Sequence, residues 1–382
     1  MPATSAAPRN TRNGFAESTR PRASPKYRKY LRLRFQVSVN KIYPWTIPLW
    51  NSLWQQPEKL HHALLLMGPE GVGKGRFADA MAARLLCEEP RGTEACGACD
   101  ACRWLAGGNH PDFRRVTLES DEADEPEEGA KPAKASKAVK VATQIKIGQI
   151  RGLEDFIFVG SHRQGRRVVI IDPADTMNPA AANALLKVLE EPPSNVYFLL
   201  VSSNSPRLLP TLRSRCRKIS FGLPDTVPAL AWLREQGVQK GESLLSLAGG
   251  APIKAMAMGA DGSQEGVEKV LASLQSPADP VGTAAQWDAL MKSHARIDAE
   301  ALVDTLQKWL YDLMRVRLGA APRYLPGHGN PLGRIAAQCD PARLHRFHGE
   351  LLKIRATARH PLNPQLFLED IAARYLQAVA TR

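Results

Sequence analysis

Short apolar runs punctuated by glycine and proline mark the first half of the chain, and amphipathic stretches of helical period mark the second. Ala63–Met67 is a continuous apolar run that ends on Gly68. Val168–Ile171 and Val196–Val201 are similar runs, rich in β-branched or aromatic residues. Runs without alternation suit strands covered on both faces, as in a parallel sheet. Helical periods lie between them. Phe77–Leu86 places Phe77, Met81 and Leu85 on one face, and Ala181–Glu191 turns Leu185, Leu186 and Leu189 inward before Pro192-Pro193 stops it. Strand, glycine loop, helix, strand predicts an α/β P-loop domain over residues 43–223. Its parallel sheet would carry helices on both faces and a crevice at the strands' carboxyl edge.

Beyond Pro224 the strand signal ends. Helices are predicted at Ala229–Glu235, Ser243–Leu247 and Ile253–Met258, giving a small helical domain over 224–262. Residues 263–382 read as an all-helical domain. There Ala301–Val316 lines up Leu302, Leu306, Trp309, Leu310 and Leu313, and Leu344–Ala358 and Pro364–Val379 follow. Stripes of this kind are core faces. Residues 1–42, rich in Pro, Ser and Arg and lacking either period, read as a disordered basic tail. The same composition also fits an organellar leader or sequence upstream of the true start. Residues 119–142, acidic over Glu119–Glu128 and basic over Lys131–Lys140, read as a solvated, disordered insertion.

Charge changes the picture less than it first promises. The chain of 382 residues carries a formal net charge of +13, but residues 1–42 hold ten Arg or Lys against the single acid Glu17 and so supply nine of the thirteen charges. The body is mildly basic, which permits DNA contact without arguing for it. No apolar run approaches the roughly 20 residues that span a bilayer.

Two sites carry candidate chemistry. Gly68-Pro69-Glu70-Gly71-Val72-Gly73-Lys74-Gly75 has the spacing of a P-loop, in which Gly68, Gly73 and Lys74 would approach phosphates. Gly75 stands where a Ser or Thr hydroxyl would hold Mg²⁺. Downstream, the strand Val168–Ile171 runs into Asp172-Pro173, where Asp172 could hold a metal but Pro173 has no group to orient or deprotonate water. ATP is therefore at most a weakly held ligand, and hydrolysis is not expected. Gly75→Thr would improve Mg²⁺-nucleotide binding without restoring turnover. The second site is Cys87, Cys96, Cys99 and Cys102, four thiols within sixteen residues with two-residue spacers and Gly92 and Gly97 to ease the turns. Four thiolates suit a structural Zn²⁺ with no open coordination position; a 4Fe–4S cluster takes the same donors and ranks second. Cys216 and Cys339 read as isolated core thiols, and His61 and His62 have no evident metal partners.

The chain resembles the delta-prime subunits of the bacterial DNA polymerase III clamp loader, an AAA+ family. The carrying residues are the cysteine spacing, Asn109-His110-Pro111-Asp112, Ala182–Pro193 (ANALLKVLEEPP) and Leu212-Arg213-Ser214-Arg215-Cys216. The resemblance extends from Tyr43 to near the C-terminus; residues 1–42 and 119–142 depart from it. It implies an arginine finger at Arg215, with Ser214 in its motif, acting in trans on a neighbour's ATP. It also implies that 224–262 is a lid domain and 263–382 a collar or oligomerisation domain, in a hetero-pentameric ring with gamma/tau and delta that loads the sliding clamp onto primed DNA. The chain would then be a non-motor component of the DNA-directed DNA polymerase III holoenzyme, a nucleotidyltransferase complex, in the bacterial cytoplasm at the nucleoid. Pro173 stands where an AAA+ motor carries its catalytic Glu. Ser202, Ser203 and Asn204 fall where AAA+ proteins place sensor 1, with a plain turn as the alternative, and Lys254 falls near sensor 2. The rival readings are an active gamma/tau-like ATPase and, from a different class, a zinc-dependent DNA-binding protein on a P-loop fold.

Overall fold

A computed structural model describes residues 41–118, 143–158, 165–277, 279–293, 297–358 and 363–380. The basic tail, apart from Lys41 and Ile42, and the insertion over 119–142 lie outside the described residues. Five strands, β1 (Ala63–Met67), β2 (Phe113–Val116), β3 (Arg167–Ile171), β4 (Val196–Ser202) and β5 (Arg217–Ser220), form one parallel sheet in the order β2-β3-β4-β1-β5. Val168 stands opposite Phe113 on one side and Tyr197 on the other, which fixes the register of the three strands. The Phe198 N–H donates to the His62 carbonyl at 2.7 Å, and the Phe221 N–H to that of Met67 at 2.7 Å.

Every residue of β3 is buried, and so is all of β4 except the half-buried Tyr197, as their unbroken apolar runs require. The sequence pattern does not announce β2 and β5. They are the outer strands, FRRV and RKIS, partly exposed and studded with cations, a composition that discourages edge-to-edge pairing.

The helices follow their stripes. In Lys74–Leu86, Phe77, Met81 and Leu85 are all buried. Pro179–Glu190 begins with Asn178, whose side chain accepts from the Ala181 N–H at 2.8 Å, and with Pro179 in the first turn. Its inward stripe is Ala181, Ala182, Leu185, Val188 and Leu189; Leu186, expected inward, is only half-buried. A residue next to Leu185 is turned about 100° from it, so Val188 at i+3 takes that place.

The chain separates into two compact units. One holds His61–Leu65 and Ala78–Lys218; the other holds Ile42–Leu60, Leu66–Phe77 and the chain from Ile219 onward. The second has a helical core in which Leu302, Leu306, Trp309, Leu310 and Leu313 are fully buried together with Trp287 and Tyr375. Three of its buried polar groups are linked by hydrogen bonds. Trp309 donates to the Tyr375 hydroxyl at 3.0 Å, Tyr375 donates to the Leu274 carbonyl at 2.5 Å, and Trp287 donates to the Ser273 hydroxyl at 2.8 Å. Burial pushes the Tyr375 phenol well above its ordinary range. No helix among the described residues is long and apolar enough to cross a membrane.

Candidate functional site

The glycine loop is built as the pattern predicts, and side chains from outside it pack against its backbone. Gly71 and Gly73 have φ of +80° and +103°, a region L side chains rarely enter. Neither has room for a side chain. A Cβ on Gly73 would lie 2.4 Å from the Tyr43 ring, and one on Gly71 2.8 Å from the Cβ of Lys254. Trp45 donates its indole N–H to the Val72 carbonyl at 2.9 Å, and the Ile253 N–H donates to the Gly71 carbonyl at 3.1 Å. Tyr43 and Trp45 stack with centroids 4.9 Å apart, Trp232 meets both edge-on, and the Arg76 guanidinium lies 5.3 Å from the Tyr43 ring centroid. Lys74 is 4% exposed, and its ammonium donates inward to the carbonyls of Gly68 at 2.8 Å and Pro69 at 2.6 Å. A phosphate cradle needs that ammonium directed at the ligand. Gly75 is buried in the first turn of the following helix. Tyr43 and Trp45 belong to no motif named in the sequence; the signal of their role is an aromatic pair bracketing Pro44 just before the helix Ile47–Trp54.

Asp172 lies at the end of β3, half-buried, with its N–H donating to the Val116 carbonyl at 3.1 Å. A cis peptide joins it to Pro173. The next turn is tied down locally: the Thr176 hydroxyl donates to the Pro173 carbonyl at 2.7 Å, and the Ser203 N–H donates to the Asp175 carboxylate at 3.0 Å. Ser202 is buried, and its hydroxyl accepts from the Asn204 N–H at 3.2 Å. Residues 202–204 thus form a turn that binds the ends of β3 and β4 together. Lys254 sits on the helix Pro252–Asp261 with its ammonium 3.9 Å from Asp304, which also pairs with Lys308 at 2.7 Å and Arg355 at 3.7 Å. Burial alone would raise the Asp304 carboxyl, but Lys308, Lys254 and Arg355 together hold it below its usual range.

The four cysteines converge. Cys87 follows the C-terminus of Lys74–Leu86, while Cys99 caps and Cys102 rides on the helix Asp100–Ala106. All four sulfurs lie within 4.8 Å of one another; Cys87 to Cys99 is 3.9 Å and Cys96 to Cys102 is 4.0 Å. A tetrahedral ion with 2.3 Å bonds to sulfur needs edges of about 3.8 Å. Gly92 and Gly97, with φ of +57° and +73°, make the turns. The N–H groups of Ala98 and Cys99 donate to the Cys96 sulfur and bring its thiol down to about 6, whereas burial pushes the Cys87 and Cys102 thiols up. The donor set fits a metal held for structure. Among the described residues no other group of three or more His, Cys, Asp or Glu side chains gathers this way. His61 and His62 stack on each other at 4.2 Å, and His62 meets the Leu189 carbonyl at 3.2 Å.

Arg215 ends the short helix Pro210–Arg215. Leu212 and Cys216 are buried and anchor the segment, and burial raises the Cys216 thiol to about 11. Ser214 donates to the Thr211 carbonyl at 2.9 Å. The Arg215 side chain, 38% exposed, reaches the Glu190 carboxylate at 2.6 Å and donates to the Thr211 carbonyl at 3.2 Å.

A parallel α/β sheet with a glycine loop, a four-cysteine module and a helical C-terminal region defines a protein of the AAA+ P-loop class. Comparison with known proteins narrows the class. A family profile described as DNA polymerase III, delta subunit, matches residues 47–224. The chain is 36% identical to DNA polymerase III subunit delta' of Pseudomonas aeruginosa over 72% of its length and 78% of the relative's. It is 30% identical to the delta' subunit of Escherichia coli over 88% of its length and 96% of the relative's. The gamma/tau subunit of Mycobacterium bovis is 32% identical over 53% of this chain and 32% of its own. A crystal structure of a gamma subunit-related protein from Thermotoga maritima superposes with a TM-score of 0.45 at 16% identity, covering 87% of this chain and 99% of that one. The chain belongs to the DNA polymerase III delta' subunit family.

Proposed function

We propose that this chain is the non-motor, delta' member of a clamp loader, which works with gamma/tau and delta in a hetero-pentameric ring to place the sliding clamp on primed DNA. The observation that carries the reading is the division of labour between two sites. The glycine loop has Gly75 where a Mg²⁺ ligand belongs and Pro173 follows Asp172 where a water-orienting acid belongs, while Arg215 stands at the surface on an anchored helix end. A subunit so built would bind no ATP productively and would lend a guanidinium to a neighbour's ATP, where it stabilises charge developing on the γ-phosphate. Ser214 would support the helix end that presents it. The four-cysteine module would hold Zn²⁺ in a purely structural role, and the complex would act in the cytoplasm at the replication fork.

Reconstitution tests this. The purified chain alone should show no ATP turnover, should co-purify with gamma/tau and delta, and should be required for clamp loading by the mixture. Turnover by the contaminant-free chain would instead support a motor of the gamma/tau kind. Sequence-independent binding of duplex DNA by the isolated chain would support a DNA-binding protein.

A further inference from the structure

We infer that Glu190 is a positioning residue for Arg215: a parking contact that holds the guanidinium on its own subunit and must release it before the finger can act. This rests on the reading of Arg215 as a finger in trans. Glu190 is the last residue of Pro179–Glu190, and Arg215 the last of Pro210–Arg215, so two helix C-termini meet at this pair. A helix C-terminus carries partial negative charge, which Arg215 relieves and Glu190 adds to. Glu190 therefore gains from a cation beside it, and the 2.6 Å contact supplies one. The same contact cancels the charge that a finger must bring to a phosphate. A second nitrogen of the guanidinium is also occupied, donating to the Thr211 carbonyl at 3.2 Å. In this arrangement the planar fork is engaged on its own subunit on two sides.

Magnitudes make the contact releasable. The side chains are 38% and 49% exposed. Exposed ion pairs of this kind shift an equilibrium by about 1.4- to 5-fold. A finger accelerates phosphoryl transfer on the order of 10³–10⁵-fold. The transition state at a neighbour's γ-phosphate thus outcompetes Glu190, and parking costs only the fraction of time the finger is held back.

Single-turnover hydrolysis by the assembled loader, with MgATP, sliding clamp and primed DNA, less that of the Arg215→Ala ring, reads the site bordering this subunit. Glu190→Gln, which keeps the shape and removes the charge, is expected to raise kcat/KM there by about 1.4- to 5-fold. Glu190→Ala should do the same. In an Arg215→Ala background either change should have no effect, because there is no finger left to release. A slower Glu190→Gln ring, an unchanged one, or a gain that persists without Arg215 overturns the parking contact and leaves the finger standing. An Arg215→Ala ring that hydrolyses ATP at the normal rate overturns the finger reading, and the parking contact with it.

Discussion

Asp312 shows how much one side chain can hold at the residue scale. It is fully buried in the helix Ala299–Arg317, and its carboxylate accepts from the N–H groups of Arg323 at 2.8 Å, Tyr324 at 2.9 Å and Leu325 at 2.8 Å. Asp312→Ala strands these donors and should cost about 2–4 kcal/mol by denaturant unfolding. Asp312→Asn should rescue little, because its amide must turn an NH₂ toward at least one of the three donors. The cysteines make a second residue-level prediction. Cys99→Ser removes one of four ligands and should lower both metal content and stability, read by metal analysis and thermal unfolding. Metal binding must expel the protons that burial favours on Cys87 and Cys102, so a chelator should strip the ion more readily as pH falls. The cysteines were legible in the sequence because ligand type and spacing are local. Asp312 was not, because its partners lie 11 to 13 residues on, in a loop without period.

At the scale of the element, β1, β3 and β4 were legible because burial on both faces leaves an unbroken apolar run. The outer strands β2 and β5 were not, since half-exposed strands of four residues carry too few apolar positions to show a period. The glycine loop was legible as a motif but not as a state. Gly75 announced a missing Mg²⁺ ligand; the packing of Tyr43, Trp45 and Ile253 on the loop needed tertiary contacts to be seen. That packing alters what Gly75→Thr should do. A hydroxyl added at a buried first-turn position does not turn the Lys74 ammonium away from Gly68 and Pro69, so the single change should leave MgATP affinity near that of the unmodified chain by calorimetry. Combining it with Tyr43→Ala and Trp45→Ala, which remove the ring over Gly73 and the indole on Val72, should raise affinity. Turnover should still be absent, because Pro173 offers no base. Tight MgATP binding by Gly75→Thr alone would show that the aromatic packing does not close the loop.

At the scale of the whole molecule the prediction concerns what Arg215 contributes beyond its own chain. Its helix is held by Leu212 and Cys216, both buried, and its ion pair with Glu190 is well exposed. Losing such a pair costs at most about 1 kcal/mol. Arg215→Ala should therefore fold normally, keep its metal and still enter the ring, as checked by thermal unfolding, metal content and size exclusion with gamma/tau and delta. On the proposed reading of Arg215 as a finger, what should fall is clamp-stimulated hydrolysis at the one motor site that borders this subunit, where a finger is worth on the order of 10³–10⁵ in rate. The loss in bulk turnover should be smaller than that, because each other motor site has its own neighbour. Arg215→Lys should rescue poorly, since a compact ammonium does not reproduce the planar fork that grips phosphate oxygens. A stable, fully assembled ring that has lost one site's hydrolysis is an outcome that only an intersubunit role produces. If Arg215→Ala instead lowers the unfolding temperature and leaves clamp loading intact, Arg215 is an arginine that serves its own fold through Glu190.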